Sequence, residues 1–166
     1  MPKPHTHLIE VEVRIKHSAA TEPLAKDEVL VMPVWTPGSY LIREFERHVQ
    51  DFAAFDAAGK PLVWEKINKN SWRVMMGSAR EWRANYRVYA NELSVRTSEV
   101  NSEHAFFEQR DGLDVSRRLL RAPGDAARAV APQPWKVATG LPPVPGEKNT
   151  FRAENFDVPL RLAGRG

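Results

Sequence analysis

No cysteine occurs in the 166 residues, so disulfides and thiolate metal ligands are excluded, and the redox compartment is left open. Long apolar runs are missing as well. Without a stretch near the length of a membrane span, and without a signal-type apolar segment at the amino terminus, the chain is expected in the cytoplasm and away from membranes. Phosphate cradles of the Gly-x-Gly-x-x-Gly or Gly-x-x-x-x-Gly-Lys type are absent, which removes the usual signal for a nucleotide. There is no Gly-x-Ser-x-Gly elbow either; Ser39 follows Gly38 but lacks the strand-to-helix context of a nucleophile. The charge is only mildly basic, formally +3 with a pI near 9.3, and before residue 108 the basic side chains are interspersed with acids. That dispersal gives no one-sided patch or arginine stripe for a nucleic acid.

What is present belongs to a folded β protein. With 42% hydrophobic and 27% charged residues, the composition is globular rather than disordered, and the length suits one domain with a real core. Residues 6–16 alternate Ile9, Val11, Val13 and Ile15 against Glu10, Glu12, Arg14 and Lys16, the signature of a strand with one buried face. Residues 28–34 are almost continuously apolar, as for a central strand, and Pro33 must lie at its end because it has no N–H for a ladder. Residues 49–56 and 61–67 flank Ala57-Ala58-Gly59-Lys60, a hairpin signal. Asn68-Lys69-Asn70 predicts a second turn into residues 71–76, and Gly77-Ser78 a third, leading to 82–90, where Trp82, Ala84, Tyr86, Val88 and Ala90 share one face.

Short strands at this spacing predict an all-β fold, an antiparallel β-sandwich with short helical turns and an irregular C-terminal segment. The expected division is a β-sandwich domain over 1–107, an irregular arginine- and alanine-rich segment over 108–131, and an extended tail over 132–166.

The chain is organised around residues 34–45. An apolar strand runs into Trp35-Thr36-Pro37-Gly38, where Pro37 pre-sets φ for a turn and Gly38 supplies a positive φ without steric cost. Ser39 then stands in a capping position before alternating large apolar and charged side chains, which predicts a short helical turn or a structured loop over 39–48. Trp35, Tyr40 and Phe45 read most simply as plugs for the end of the sandwich.

The same run, Trp35-Thr36-Pro37-Gly38-Ser39-Tyr40-Leu41-Ile42-Arg43-Glu44-Phe45 followed by Arg47-His48-Val49, resembles the amino-terminal domain of the glycyl aminopeptidase family of zinc metallopeptidases (metallopeptidase family 61). Three further pieces follow in the family's order: Lys69-Asn70-Ser71-Trp72, then 86–98, Tyr-Arg-Val-Tyr-Ala-Asn-Glu-Leu-Ser-Val-Arg-Thr-Ser, then His104-Ala105-Phe106-Phe107. The resemblance covers residues 5–107 and is rejoined at 135–142. It implies a non-catalytic β-domain ahead of a thermolysin-like zinc domain, in an enzyme that removes amino-terminal glycine or alanine from peptides. Its motif residues here are Trp35, Pro37, Gly38, Tyr40 and Glu44. It further implies that the β-domain packs beside the cleft and helps shape the end that receives the substrate's amine. On that picture Tyr40, Arg43, Arg96 and Glu103 are the substrate-binding candidates, with Glu103 meeting the ammonium. The implied partners are the zinc peptidase domain of the same polypeptide and a peptide substrate.

A zinc peptidase of that kind needs His-Glu-x-x-His, two imidazoles one helical turn apart with a glutamate as general base. None of His5, His7, His17, His48 and His104 begins it. No catalytic residue and no metal site is therefore expected in this chain, with zinc confined to the full-length enzyme, and the chain by itself is expected to be inactive. His5 and His7 are spaced to share a strand face, as a solvated edge or an adventitious metal pair. Glu44 and His48 have the i, i+4 spacing of a surface pair. Arg96, among β-branched neighbours, calls for a carboxylate, with Glu44 or Glu92 as candidates. Glu99 and Glu103 read as solvated loop acids.

From 108 to 131 the alternation stops. One reading is a solvated helix over 114–121, cut short by Pro123-Gly124. The other is a displaced reading frame, because ordinary codons for 109–116 hide Asn-Gly-Thr-Gly-Leu-Met-Phe one nucleotide away, and those for 162–166 hide Trp-Pro-Val-Glu. The rival function is a freestanding β-sandwich that binds peptide or carbohydrate through Trp35, Trp64, Trp72 and Trp82, although alternation turns some of these toward the core.

Overall fold

The computed structural model describes residues 3–17, 25–34, 41–94, 97–108, 114–115, 126–128, 135–152 and 161–165. The alternating segment at 6–16 forms β1 (Leu8–Lys16), and the Trp82–Ala90 alternation forms β6 (Glu81–Tyr89). They pair antiparallel from Leu8 opposite Tyr89 to Lys16 opposite Glu81. Every inward position of β6 is buried, Trp82, Ala84, Tyr86 and Val88, as is Ala90 just beyond it. The period-two pattern was thus a direct record of one covered face.

The expected hairpin joins β3 (Val49–Asp56) to β4 (Pro61–Asn68). Gly59 takes φ +84, a conformation that favours glycine. Asp56 locks the turn: its Oδ1 accepts the Lys60 N–H at 2.8 Å, and its backbone N–H donates to the Lys60 carbonyl. The turn after β4 is held the same way, with Asn68 Oδ1 accepting the Asn70 N–H at 3.0 Å. It leads into β5 (Ser71–Met75), which pairs with β2 (Asp27–Val31). The strand expected over 28–34 leaves the ladder at Val31. Met32 still donates to the Asn70 carbonyl, but Pro33 cannot donate to a partner.

The seven-stranded antiparallel sheet runs β1, β6, β3, β4, β5, β2, β10, where β10 is Asp114–Val115. The sheet curls, so that Ile15, Ala84, Tyr86 and Val88 from one half pack with Leu30, Trp72 and Val74 from the other in a single core. Phe52 on β3 stacks on Trp72 at 5.6 Å between centroids. Asp114 and Val115 pair with Val31 and Leu30 rather than opening the helix considered over 114–121; residues 116–121 lie outside the described residues.

At Ala90 the chain passes into a second sheet. Its N–H donates to the His7 carbonyl and its carbonyl accepts from Val100. The second sheet runs β12 (Lys136–Ala138), β14 (Arg161–Arg165), β9 (His104–Glu108), β8 (Thr97–Val100), β7 (Asn91–Ser94). Ile9, Ala90, Val100, Ala105 and Trp135 form its core. A further pair joins β11 (Ala126–Arg128) to β13 (Thr150–Arg152). Helical structure among the described residues is limited to two 3-10 turns, Pro4–Thr6 and Phe45–His48.

The shared strand face expected for His5 and His7 is not formed. His5 lies in the first 3-10 turn, and His7 caps it in the left-handed region with its Nδ1 at 2.6 Å from the Val100 carbonyl. A β1 that begins only at Leu8 leaves both histidines outside the ladder.

Candidate functional site

Of the four substrate-binding candidates, Arg43 lies on the corner that precedes β3, next to the motif residue Glu44. The Arg43 N–H donates to the Val34 carbonyl at 2.7 Å, closing the chain reversal between β2 and the 3-10 turn at 45–48. Phe45 then plugs the first core, as the plug reading expected. Tyr40 and Arg96 lie outside the described residues, as do the motif positions Trp35, Pro37 and Gly38.

The corner is electrostatically tied to the turn between β4 and β5. Lys69 Nζ donates to Glu44 Oε1 at 2.9 Å. The Lys69 ammonium, through this hydrogen bond and its charge, holds the Glu44 carboxyl below its ordinary value, and Glu44 raises Lys69 in return. Both side chains are exposed, so solvent screens the pair heavily. The Glu44–His48 surface pair expected from spacing is therefore replaced: a 3-10 turn starting at Phe45 spoils the α-helical geometry, and the Lys69 ammonium takes the Glu44 carboxylate. His48 instead accepts from Arg47 Nε at 3.1 Å. Partial burial, and then the charge of Arg47, push the His48 imidazole below its ordinary value near 6.5.

Two polar atoms at this corner are buried and have no hydrogen-bond partner among the described residues, Arg43 Nε and Glu46 Oε2. Glu46 itself is 7% exposed. Beside them Leu41 and Ile42 are 63% and 75% exposed.

Glu103 is placed elsewhere, on the turn joining β8 to β9. Asn101 builds that turn: its Oδ1 accepts the N–H groups of Glu103 at 2.8 Å and His104 at 2.9 Å, and its own N–H donates to the His104 carbonyl. The exposed Glu103 carboxylate has no partner among the described residues. Glu99 is not the solvated loop acid that the sequence suggested. It sits in β8, half-buried, with Oε2 at 3.1 Å from His104 Nε2 and Oε1 accepting from Asn101 Nδ2 at 3.3 Å.

A groove of about 460 Å³ opens elsewhere, over the outer face of β1 and β6, lined by Glu10, Glu12, Asp51, Asn85 and Arg87 among others. Asp51 pairs there with Arg87. None of the sequence candidates lines it.

The tryptophans of the rival reading divide. Trp72 and Trp82 are 2% and 1% exposed, so they are core and not a binding platform. Trp64 is half-exposed and meets Phe52 edge-on at 4.9 Å; Trp35 lies outside the described residues. The sequence reasoning missed Lys69 and Glu46. Lys69 stood out only as part of the 69–72 run and Glu46 not at all, since each matters through what the fold brings to it.

Among the described residues no group of three or more His, Asp or Glu side chains is placed to hold a metal ion. The five histidines are dispersed, and the described residues do not fit a zinc site.

The fold is an all-β domain in which the described candidates Arg43, Glu44 and Glu103 sit between strands. A family model described as the Peptidase M61 N-terminal domain matches residues 1–159, and the chain belongs to that family. Its structure is similar to the crystal structure of an aminopeptidase N family protein from Idiomarina loihiensis, with a TM-score of 0.82 and 30% sequence identity. The match covers 96% of this chain and 27% of that one. No curated protein matches. The chain is thus the N-terminal domain of a peptidase family, spanning about a quarter of the length of the solved relative.

Proposed function

We propose that this chain is the non-catalytic front of a zinc-dependent, glycyl-aminopeptidase-like enzyme. It packs beside the catalytic cleft and shapes the end that receives the substrate's free amine. One observation carries the reading: nearly all of this domain corresponds to about a quarter of an aminopeptidase N family chain, while its own described residues hold no metal cluster. Zinc and the general base then belong to the following domain, toward which residues 132–166 lead. The Glu103 carboxylate, without a partner among the described residues and on a turn fixed by Asn101, meets the substrate ammonium, and Tyr40, Arg43 and Arg96 are the further substrate-binding candidates of this reading. Peptides are the substrate class, and the cytoplasm is the compartment.

The deciding experiment is to sequence the source DNA across codons 105–166 and onward. A frame that continues, directly or after a one-nucleotide displacement, into His-Glu-x-x-His supports the reading; a well-supported frame ending at Gly166 removes it. In the complete enzyme, Glu103→Gln is expected to raise KM for a glycyl peptide, and unchanged KM and kcat would take the amine role away from Glu103. The purified 166-residue chain is expected to release no amino acid from such a peptide with zinc added.

A further inference from the structure

We propose that the Leu41–Ile42 corner is the docking point by which this domain holds the catalytic domain of its own polypeptide. The inference rests on the function proposed above and names the contact that function requires. Leu41 and Ile42 are consecutive, large, aliphatic and more than half exposed. Such side chains, set together at a chain reversal and not scattered singly, mark a surface that another body covers.

The polar groups around them point the same way. Arg43 Nε, next in sequence to the exposed pair, and Glu46 Oε2, four residues beyond it, are buried without a hydrogen-bond partner among the described residues. Buried polar atoms are nearly always satisfied in a finished structure. A corner that leaves a cation and a carboxylate atom unpaired, beside uncovered aliphatic surface, is completed by contact with something outside the domain. The occupant is set by length: the matched relative carries this domain as 27% of its chain, so a larger body follows it there. That body must offer an apolar recess for the two aliphatic side chains. At its border it must offer a carbonyl or carboxylate for Arg43 and an N–H or ammonium for Glu46, reached as the corner repacks.

A second apolar patch provides the contrast. Val63, 70% exposed, faces Met75 across the β4–β5 ladder. Its polar neighbours are already satisfied within the domain, since Arg73 pairs with both Glu65 and Asp27. That face needs no partner to complete its hydrogen bonds, and it is the internal control.

The test uses the complete polypeptide, in parallel with Leu41→Ser/Ile42→Ser and Val63→Ser/Met75→Ser variants, followed by calorimetry, amide hydrogen exchange and glycyl-peptide hydrolysis. Both pairs are exposed, so neither change empties the core. The expected result is one joint unfolding transition in the parent and the Val63/Met75 variant. In the Leu41/Ile42 variant it separates into two, with faster exchange at residues 41–48 and in the segment facing them. A single unchanged transition in the Leu41/Ile42 variant overturns the inference while leaving the peptidase reading intact, and separation by the Val63/Met75 variant alone overturns it as well. Docking without zinc-dependent hydrolysis sinks the proposed function and keeps the contact. A frame with no downstream domain removes the occupant and overturns both.

Discussion

Trp82 on β6 donates its indole N–H to the carboxylate of Glu28 on β2 at 3.2 Å, joining two strands that do not pair with each other. The same Glu28 Oε2 lies 3.1 Å from His17 Nε2, at the end of β1. One carboxylate thus ties the two halves of the curled sheet across the edge of their common core. Glu28→Ala leaves the buried indole N–H without a partner and is expected to cost about 1–3 kcal/mol. Glu28→Gln keeps an acceptor and should cost less. Urea denaturation of the two variants checks the order.

The aromatic core gives a sharper contrast. Trp72→Ala removes a fully buried ring that stacks on Phe52, at an expected cost of about 3–5 kcal/mol. Trp64→Ala removes a half-exposed ring, and about 1 kcal/mol of edge-to-face contact is expected to go with it. Equal losses in the two variants would contradict the burial difference.

His48 supplies a pH dependence. Burial, followed by Arg47, lowers its folded value below the ordinary 6.5, so the unfolded chain binds the proton more readily. Its contribution to stability is fully present above about 6.5 and is lost as the pH falls through the folded value. Protonation also takes away the lone pair that accepts from Arg47 Nε. His48→Asn is expected to flatten this share of the fall; the difference in denaturation midpoint between parent and variant, followed from pH 7.5 down to 5, measures it.

Asn101→Ala is expected to cost about 1 kcal/mol, because two backbone N–H groups lose their side-chain acceptor. Amide exchange at Glu103 and His104 should quicken, while exchange along β6 stays as it was. Protection unchanged at the turn would show that the backbone alone holds Glu103 in place.

The exposed Lys69–Glu44 pair offers the opposite case. Lys69→Gln should leave the denaturation midpoint in place, because both partners are exposed and such pairs contribute little. It should still let the Glu44 carboxyl rise toward its ordinary value. A carboxyl titration by NMR reads that shift directly.

Much of the first sheet was legible because its information is local. The β6 alternation and the Ala57-Ala58-Gly59-Lys60 turn depend on residues a few positions apart, and both stand in the structure. The family could be read from the 34–45 run and its three companions, and the family match agrees. Site geometry was far less legible. Arg43 and Glu44 were adjacent by sequence in any case, but Glu44's partner lies 25 residues away on another turn. Spacing offered His48, and the 3-10 geometry of that stretch denied it. Glu99 looked like a loop acid because its partner, His104, becomes a neighbour only once β8 and β9 pair.

The sequence by itself determined the all-β class, the hairpin turns, the absence of a His-Glu-x-x-His motif and the kinship of the 34–45 run, since each rests on periodicity, turn chemistry or a contiguous motif. Tertiary structure alone decided that Trp72 stacks on Phe52, that Glu28 bridges the sheet halves, and that Leu41 and Ile42 stay uncovered beside two polar atoms unpaired among the described residues. Those outcomes depend on which strands the curl of the sheet brings face to face, and no local pattern encodes a contact between residues 54 positions apart.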